Sequence, residues 1–225
     1  MTSYSKLDHW ALKAQKEGYP ARSVYKLKEM DEKFALLKKS RSAKSASSGP
    51  FRVLDLGAAP GSWSLYLLRK FLNKPGGSQG AKQYNPAPFA LVAVDLAPLS
   101  RACDQGLFDK PEFIFIQGDF TDSENRGKIL SLGPYNLLIS DAAPATSGNR
   151  SLDTIRSLEL AGTALDYART CLSSGGNLVI KVFQGGDTGD LLKNIRGLFK
   201  TGRSFKPQSC RAESFETYFL GLGKK

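Results

Sequence analysis

Five short segments of the chain are almost entirely apolar, and longer segments with helical spacing of apolar residues separate them. A strand with one buried face alternates apolar and polar residues, so continuous apolar runs indicate strands that are covered on both faces. Such strands are typical of a parallel sheet. The predicted strands are FRVLDLG (51–57), FALVAVDL (89–96), EFIFIQGDF (112–120), YNLLISDAA (135–143) and GNLVIKVF (176–183).

The segments between these strands predict helices. Residues 62–72 and 151–172 have helical spacing, and the second segment is followed by Ser-Ser-Gly-Gly, which we interpret as a helix stop. Before the first strand, residues 5–39 predict two polar helices interrupted near Gly18. Because strands and helices alternate, the pattern predicts an α/β fold with a doubly wound sheet.

The length and composition predict one domain. The chain has 225 residues, of which 41% are hydrophobic, and this is enough for one core of ordinary size. Residues 40–50 and 74–88 have loop composition and are too short to form further domains. We therefore expect a single domain over 1–225, in which basic helices over 1–45 precede the sheet over 51–225.

Cysteine spacing and hydropathy narrow the class of protein further. Cys103, Cys171 and Cys210 lie far apart without a C-x-x-C pair, which argues against a disulfide framework and against a zinc site. No segment approaches the roughly 20 apolar residues of a membrane span. We expect a soluble cytoplasmic protein that uses neither a membrane nor a metal.

A formal net charge of +11 adds a candidate partner. Such a surplus attracts polyanions, so nucleic acid or the ribosome is the expected partner, although a surface kept soluble by lysine has the same composition. The basic residues are Lys6, Lys13, Lys16, Arg22, Lys28, Lys33, Lys38, Lys39, Arg41 and Lys44 before the first strand, and Lys200, Arg203, Lys206 and Arg211 near the end of the chain.

Polar residues stand at the carboxyl ends of all five predicted strands: Asp55, Asp95, Asp119, Asp141 and Lys181. One acidic residue at such a place is often only a helix cap. Open parallel sheets, however, bind their ligands at the carboxyl ends of the strands. Five polar strand ends together therefore predict a binding site at that edge.

The loop Asp55–Gly61 indicates which ligand is bound. Gly57 and Gly61 allow close approach of the backbone, but the loop lacks both the G-x-G-x-x-G spacing of dinucleotide sites and the Walker pattern for triphosphates. Carboxylates repel phosphate and suit an ammonium group, a sulfonium charge and a ribose diol. We therefore favour S-adenosyl-L-methionine over a dinucleotide as the cofactor.

From about Tyr19 to Gly223 the chain resembles the FtsJ/RrmJ family of heat-shock ribosomal RNA methyltransferases. The resemblance implies a Rossmann-like methyltransferase fold with a mostly parallel seven-stranded sheet and helices on both faces. It also implies methylation of a ribose 2′-hydroxyl, on a uridine of large-subunit (23S-type) ribosomal RNA. The motifs that carry it are YPARSVYKLKEMDEKF, VLDLGAAPGSW, AVDLAPL, IQGDFTD, LLISDAAPATSG, LVIKVFQG and SCRAESFETYFLG.

The same resemblance implies the site residues. Matching motif by motif assigns a catalytic tetrad to Lys26, Asp141, Lys181 and Glu216. We expect the protein to act as a monomer on ribosomal RNA or on the large ribosomal subunit. The residues expected to bind the cofactor are Gly57, Ala58, Pro60, Gly61, Trp63, Asp95, Asp119, Phe120 and Asp141.

A lysine inside an apolar strand has a chemical explanation in such an enzyme. The only histidine is His9, in a polar helix, so lysine is the plausible substitute for an imidazole base. Lys181 either removes the proton of the hydroxyl as a neutral amine or stabilises the developing alkoxide as a cation.

Two alternative functions remain open: a ribose methyltransferase acting on transfer RNA or an mRNA cap, and a non-catalytic RNA-binding ribosome assembly factor.

Overall fold

The computed structural model of the protein describes residues 8–37, 49–72, 88–185, 188–211 and 213–225. The predicted loops lie largely outside these ranges, and so do Lys6, Lys38, Lys39, Arg41 and Lys44. No helix in the described part of the chain combines the length and the apolarity that a membrane crossing requires. Within the same residues, no group of three or more His, Cys, Asp and Glu side chains is arranged to hold a metal ion.

Seven strands form one sheet with the order β3-β2-β1-β4-β5-β7-β6. The pairs among β1 to β5 are parallel, whereas β7 runs antiparallel to both of its neighbours, β5 and β6. The strands are β1 (Phe51–Leu56), β2 (Phe89–Asp95), β3 (Phe113–Gln117), β4 (Tyr135–Ser140), β5 (Leu172–Phe183), β6 (Phe199–Phe205) and β7 (Glu216–Lys224).

Helices cover both faces of this sheet. They are α1 (His9–Lys16), α2 (Val24–Phe34), α3 (Ser62–Leu72), α4 (Ser123–Ser131), α5 (Arg150–Cys171) and α6 (Thr188–Leu198), with one 3-10 turn at Leu107–Asp109. The predicted α/β fold and the mostly parallel seven-stranded sheet are confirmed. Each of the five predicted strands overlaps an observed strand, and α3 has the predicted bounds.

Two hydrophobic clusters explain why the strands are apolar without alternation. Val53 and Leu91 pack with α2 and α3 on one face, while their neighbours Leu54 and Val92 pack with α4 and α5 on the other. Successive side chains of a strand point to opposite faces, so a sheet that is covered twice needs apolar residues at every position.

The end of the long helix α5 differs from the prediction. The expected stop at 173–176 is part of strand β5, because α5 ends at Cys171 and β5 begins at Leu172 without an intervening loop. A register shift against β4, between Tyr135 and Leu137, absorbs the irregular residues at the start of β5.

The N-terminal helices pack on the sheet as part of the first hydrophobic cluster. Leu27 and Met30 of α2 are fully buried there. The Asp31 carboxylate accepts a hydrogen bond from the Tyr66 hydroxyl at 2.8 Å and forms a salt bridge with Lys70, both on α3. Helix α2 is therefore fixed in position relative to the carboxyl edge of the sheet.

Candidate active site at the carboxyl edge of the sheet

A cleft of about 720 Å³ opens at the carboxyl ends of β1, β2, β3 and β4. Its size is in the range of small-molecule sites. Five of the expected cofactor residues line it: Gly57, Asp95, Asp119, Phe120 and Asp141. The other lining residues are Ala59, Leu96, Ala97, Thr121, Ala142, Ala143, Pro144, Ala145, Arg156, Glu159, Leu160 and Thr163.

Backbone amides orient the two carboxylates at the ends of β2 and β3. Asp95 accepts hydrogen bonds from the amides of Ala59 at 2.9 Å and Ala97 at 2.8 Å. Asp119 accepts from the amide of Thr121 at 2.8 Å and from its hydroxyl at 2.7 Å. A carboxylate has about four acceptor positions, so each retains acceptor capacity for a ligand.

The loop after β1 requires a glycine at its first position. Gly57 has a φ of +76°, and a Cβ there would lie 2.5 Å from the Cα of Ala142, which follows β4. No side chain fits at that distance, so glycine permits the two strand-end loops to meet at the base of the cleft.

Four of the expected cofactor residues do not line the cleft: Ala58, Pro60, Gly61 and Trp63. Trp63 is 3% exposed, and its indole nitrogen donates to the carbonyl oxygen of Ser23 at 2.8 Å. Its ring also lies 5.9 Å from the ring of Tyr218. This side chain therefore supports the start of α2 and the middle of β7.

Asp55 is fully buried at the end of β1, although its position at a strand end suggested a ligand contact. Its Oδ2 accepts a hydrogen bond from the Ser64 hydroxyl at 2.7 Å, and its Oδ1 is without a partner among the described residues. Burial raises the pKa of this carboxyl to about 7, and the carboxylates of Asp141 and Asp95 act in the same direction.

The four expected tetrad residues come together from four elements of the fold. Asp141 directly follows β4, and the parallel register brings it beside Lys181 on β5. In the antiparallel register of β5 and β7, Lys181 is paired with Tyr218, two residues from Glu216. Lys26 reaches the same place from the first turn of α2. Their side chains are between 8% and 18% exposed.

Two ion pairs connect these residues. The Nζ of Lys26 lies 2.6 Å from Oε1 of Glu216, and the Nζ of Lys181 lies 3.1 Å from Oδ1 of Asp141. Lys181 also donates to the backbone carbonyl oxygen of Asp141, and the Tyr218 hydroxyl donates to Oδ1 of Asp141 at 2.7 Å. Buried charges are tolerated here because each has a partner of opposite sign.

The electrostatic balance favours the charged forms of Lys26 and Asp141. Burial alone lowers the pKa of Lys26, but Asp141 and Glu216 outweigh it and raise that pKa above its usual value. Burial alone raises the pKa of Asp141, but Lys181, Lys26 and the Tyr218 hydroxyl lower it below its usual value. Lys26 is therefore an ammonium and Asp141 a carboxylate at neutral pH.

A second cleft, of about 380 Å³, opens on the other side of the tetrad. Asp141 belongs to the first cleft, whereas Lys26 and Glu216 line the second. The tetrad thus lies between two openings. The second cleft is lined by Ala21, Arg22, Ser23, Lys26, Arg211, Glu213, Ser214, Phe215 and Glu216.

Sequence reasoning did not single out Tyr218, although it was within reach of the motif. Side chains at i and i+2 of a strand share a face, so a tyrosine two residues after Glu216 had to point the same way. The Tyr218 hydroxyl is bonded to Asp141, and the Nζ of Lys26 lies 5.9 Å from the centre of its ring. Tyr218 therefore contacts one member of each ion pair, Asp141 and Lys26.

Comparison with known proteins gives the family. The sequence model of the FtsJ-like methyltransferases matches residues 19–224. The chain belongs to this family. Ribosomal RNA large subunit methyltransferase E of Treponema denticola is 48% identical over 222 residues, covering 99% of this chain and 97% of that protein. The protein of the same name from Borreliella afzelii is 42% identical over 214 residues, covering 95% and 96%.

A solved structure agrees with the FtsJ-like assignment at the level of the fold. The crystal structure of a ribosomal RNA methyltransferase from Plasmodium falciparum superposes with a TM-score of 0.66 at 24% identity. It covers 92% of this chain and 98% of the other. The resemblance that the motifs indicated, and the methyltransferase fold that it implied, are therefore confirmed.

Proposed function

We propose that this protein transfers a methyl group from S-adenosyl-L-methionine to a ribose 2′-hydroxyl of large-subunit ribosomal RNA, on a uridine. The observation that carries the proposal is the position of Lys26, Asp141, Lys181 and Glu216 between two clefts. The names of the Treponema and Borreliella relatives support ribosomal RNA as the substrate. Such a substrate also favours the cytoplasm as the place of action.

The first cleft has the chemistry that the proposed cofactor needs. Asp95 would accept hydrogen bonds from the ribose diol, and Asp119 would accept from the adenine amine. Leu96 and Phe120 would contact the apolar faces of the base, and Asp141 would suit the cationic end of the cofactor. When bound, the cofactor supplies an activated methyl group on a sulfonium.

The second cleft fits a nucleotide with its phosphate. Arg22 and Arg211 both line it, and guanidinium groups suit phosphate oxygens. Arg22 is already paired with Asp8, whereas Arg211 makes no salt bridge within the described residues. A ribose held there would present its hydroxyl to Lys26 and Glu216, at the point where the second cleft approaches Asp141 and the cofactor cleft.

The tetrad would position the hydroxyl and manage its proton. Because Lys26 remains an ammonium, its charge favours an oxygen that gains negative charge as the proton leaves. Lys181 has two roles open to it: as a neutral amine it would take the proton, and as a cation it would stabilise the alkoxide. Asp141 holds its Nζ in place for either role.

The experiment supplies labelled S-adenosylmethionine with large ribosomal subunits, transfer RNA or capped mRNA, and maps the methylated ribose. We expect label on a uridine of the subunit RNA. Lys181→Ala should lower kcat far more than it raises KM, because the contact is made mainly in the transition state. The matched control is Lys128→Ala, which removes a lysine from an exposed pair with Glu124 on α4.

The substitution Lys181→Arg separates the two roles, since arginine keeps the charge but does not lose its proton. Activity well above that of Lys181→Ala would favour alkoxide stabilisation, and equal inactivity would favour proton removal. Label on transfer RNA or on the cap instead of the subunit would refute the assignment of large-subunit ribosomal RNA as the substrate. Binding of subunits without any methylation would indicate an assembly factor.

A further inference from the structure

Phe215 differs chemically from the other residues that line the second cleft. It is the one aromatic side chain among the described lining residues, which otherwise are charged, small or hydroxylated. Phe215 is half-buried and immediately precedes the tetrad residue Glu216. A half-exposed aromatic ring in a basic groove is a combination that proteins use to bind unpaired nucleotides.

Phe215 is held by one backbone contact and one ring contact. Its backbone carbonyl oxygen accepts a hydrogen bond from the amide of Gln184 at 2.7 Å, which ties it to the end of β5. Its ring meets the ring of Phe183 in an edge arrangement, with 4.6 Å between the centroids. A preorganised ring loses little entropy when a base stacks on it.

A planar cation, the guanidinium of Arg150, lies over the ring of Phe215. The guanidinium of Arg150, an exposed residue at the start of α5, lies 4.9 Å from the centroid of Phe215. Guanidinium groups and nucleobases both stack on aromatic faces. A base that stacked on this face would take the place of the Arg150 guanidinium, which can move aside because Arg150 is exposed.

The parts of a nucleotide suggest which residues of the second cleft would contact its hydroxyl, its phosphate and its base. The base is attached to the sugar carbon next to the one that carries the 2′-hydroxyl, so a hydroxyl held at Lys26 and Glu216 brings the base close by. Arg22 and Arg211 suit the phosphate, because guanidinium groups form charge-assisted hydrogen bonds with phosphate oxygens. Phe215 is the lining side chain that suits the base.

We propose that Phe215 is the stacking platform for the base of the acceptor nucleotide, and that the enzyme therefore takes this nucleotide unpaired and out of its helix. The inference rests on the proposed function and adds a specificity-determining residue to it. Every base has a π-face, so Phe215 selects an unpaired nucleotide rather than a particular base.

The test compares Phe215→Ala, Phe215→Leu, Phe215→Tyr and Phe215→Trp in the full-length protein with ribosomal RNA. We expect Ala and Leu to lower kcat/KM for RNA by about 10- to 100-fold and Tyr and Trp to retain activity, because only the latter keep an aromatic face. Cofactor affinity by calorimetry should stay at the wild-type value, whereas Tm should fall slightly in Ala and Leu because they lose the ring contact with Phe183.

Phe34→Leu is the matched control. Phe34 is also half-buried and also meets a second aromatic ring, that of Phe205, but it ends α2 two turns away from Lys26. We expect this variant to keep the wild-type kcat/KM. If Phe215→Leu is as active as the wild type, the ring only packs against Phe183 and the inference is wrong.

A second measurement uses RNA that lacks the base at the nucleotide mapped with the wild type. If Phe215 stacks on that base, the loss from removing the base and the loss from Phe215→Ala overlap, so both changes together cost about as much as one. If the two losses in kcat/KM multiply instead, the inference is wrong while the proposed function stays intact. A wild type that methylates no RNA ribose would overturn the proposed function and this inference with it.

Discussion

The protonation of Asp55 makes stability depend on pH in a direction opposite to that of most carboxyl groups. Burial raises its pKa from 3.8 to about 7. Between these two values the folded protein holds a proton that the unfolded chain has released. The free energy of unfolding therefore falls as pH rises through this window, and it is level again above about pH 7.

The size of the effect follows from the shift. One pKa unit corresponds to about 1.4 kcal/mol, so the full shift of about three units is worth on the order of 4 kcal/mol. From about pH 5 to about pH 7, Asp55 should account for roughly 2 kcal/mol of lost stability, because the group is half titrated at its pKa. Asp55→Asn should abolish this slope, because the amide accepts the Ser64 hydrogen bond but does not ionise.

Urea unfolding of wild type and Asp55→Asn across this range measures the two slopes. Near pH 5 the variant should be no more stable than the wild type, since its amide NH₂ takes the place of an oxygen without a described partner. As pH rises, the wild type should lose free energy of unfolding relative to Asp55→Asn. Asp166→Asn, on the exposed side of α5, is the control. Equal slopes in wild type and Asp55→Asn would refute the reasoning.

Three further predictions concern the first cleft, the tetrad and the loop after β1. Asp95→Ala should weaken S-adenosylmethionine binding by about 10- to 100-fold through loss of charge-assisted hydrogen bonds, and unchanged affinity by calorimetry would remove Asp95 from the site. Tyr218→Phe deletes the donor to Asp141, so kcat should fall several-fold and its acid limb should move to higher pH; an unchanged pH profile would contradict this. Gly57→Ala should lower Tm far more than Gly106→Ala, because both have positive φ but only Gly57 lacks space for a Cβ; equal losses would show that strain alone matters.

The sequence by itself determined the layered fold and the edge at which the site forms. Continuous apolar runs such as 51–57 and 89–96 require burial on both faces, and this is a local property of each run. Parallel strands end at one edge, so Asp95, Asp119 and Asp141 had to lie near one another before any contact was known. The motifs identified the family, and with it the four residues that are expected to form the tetrad.

Only the tertiary structure decided how those residues meet. The antiparallel pairing of β5 and β7 places Lys181 opposite Tyr218 and near Glu216, and such a register depends on long-range contacts rather than on local pattern. Lys26 arrives from a helix more than a hundred residues earlier in the chain.

The tertiary structure also decided which of the residues near the site are buried. The Trp63 side chain packs beneath α2, and Asp55, at the end of β1, is enclosed with a raised pKa. Side-chain direction and desolvation depend on which elements come to lie above a residue, and a linear pattern does not contain that information. The same reason explains why the second cleft, with Phe215 beside Glu216, appeared only when α2 and β7 were brought together.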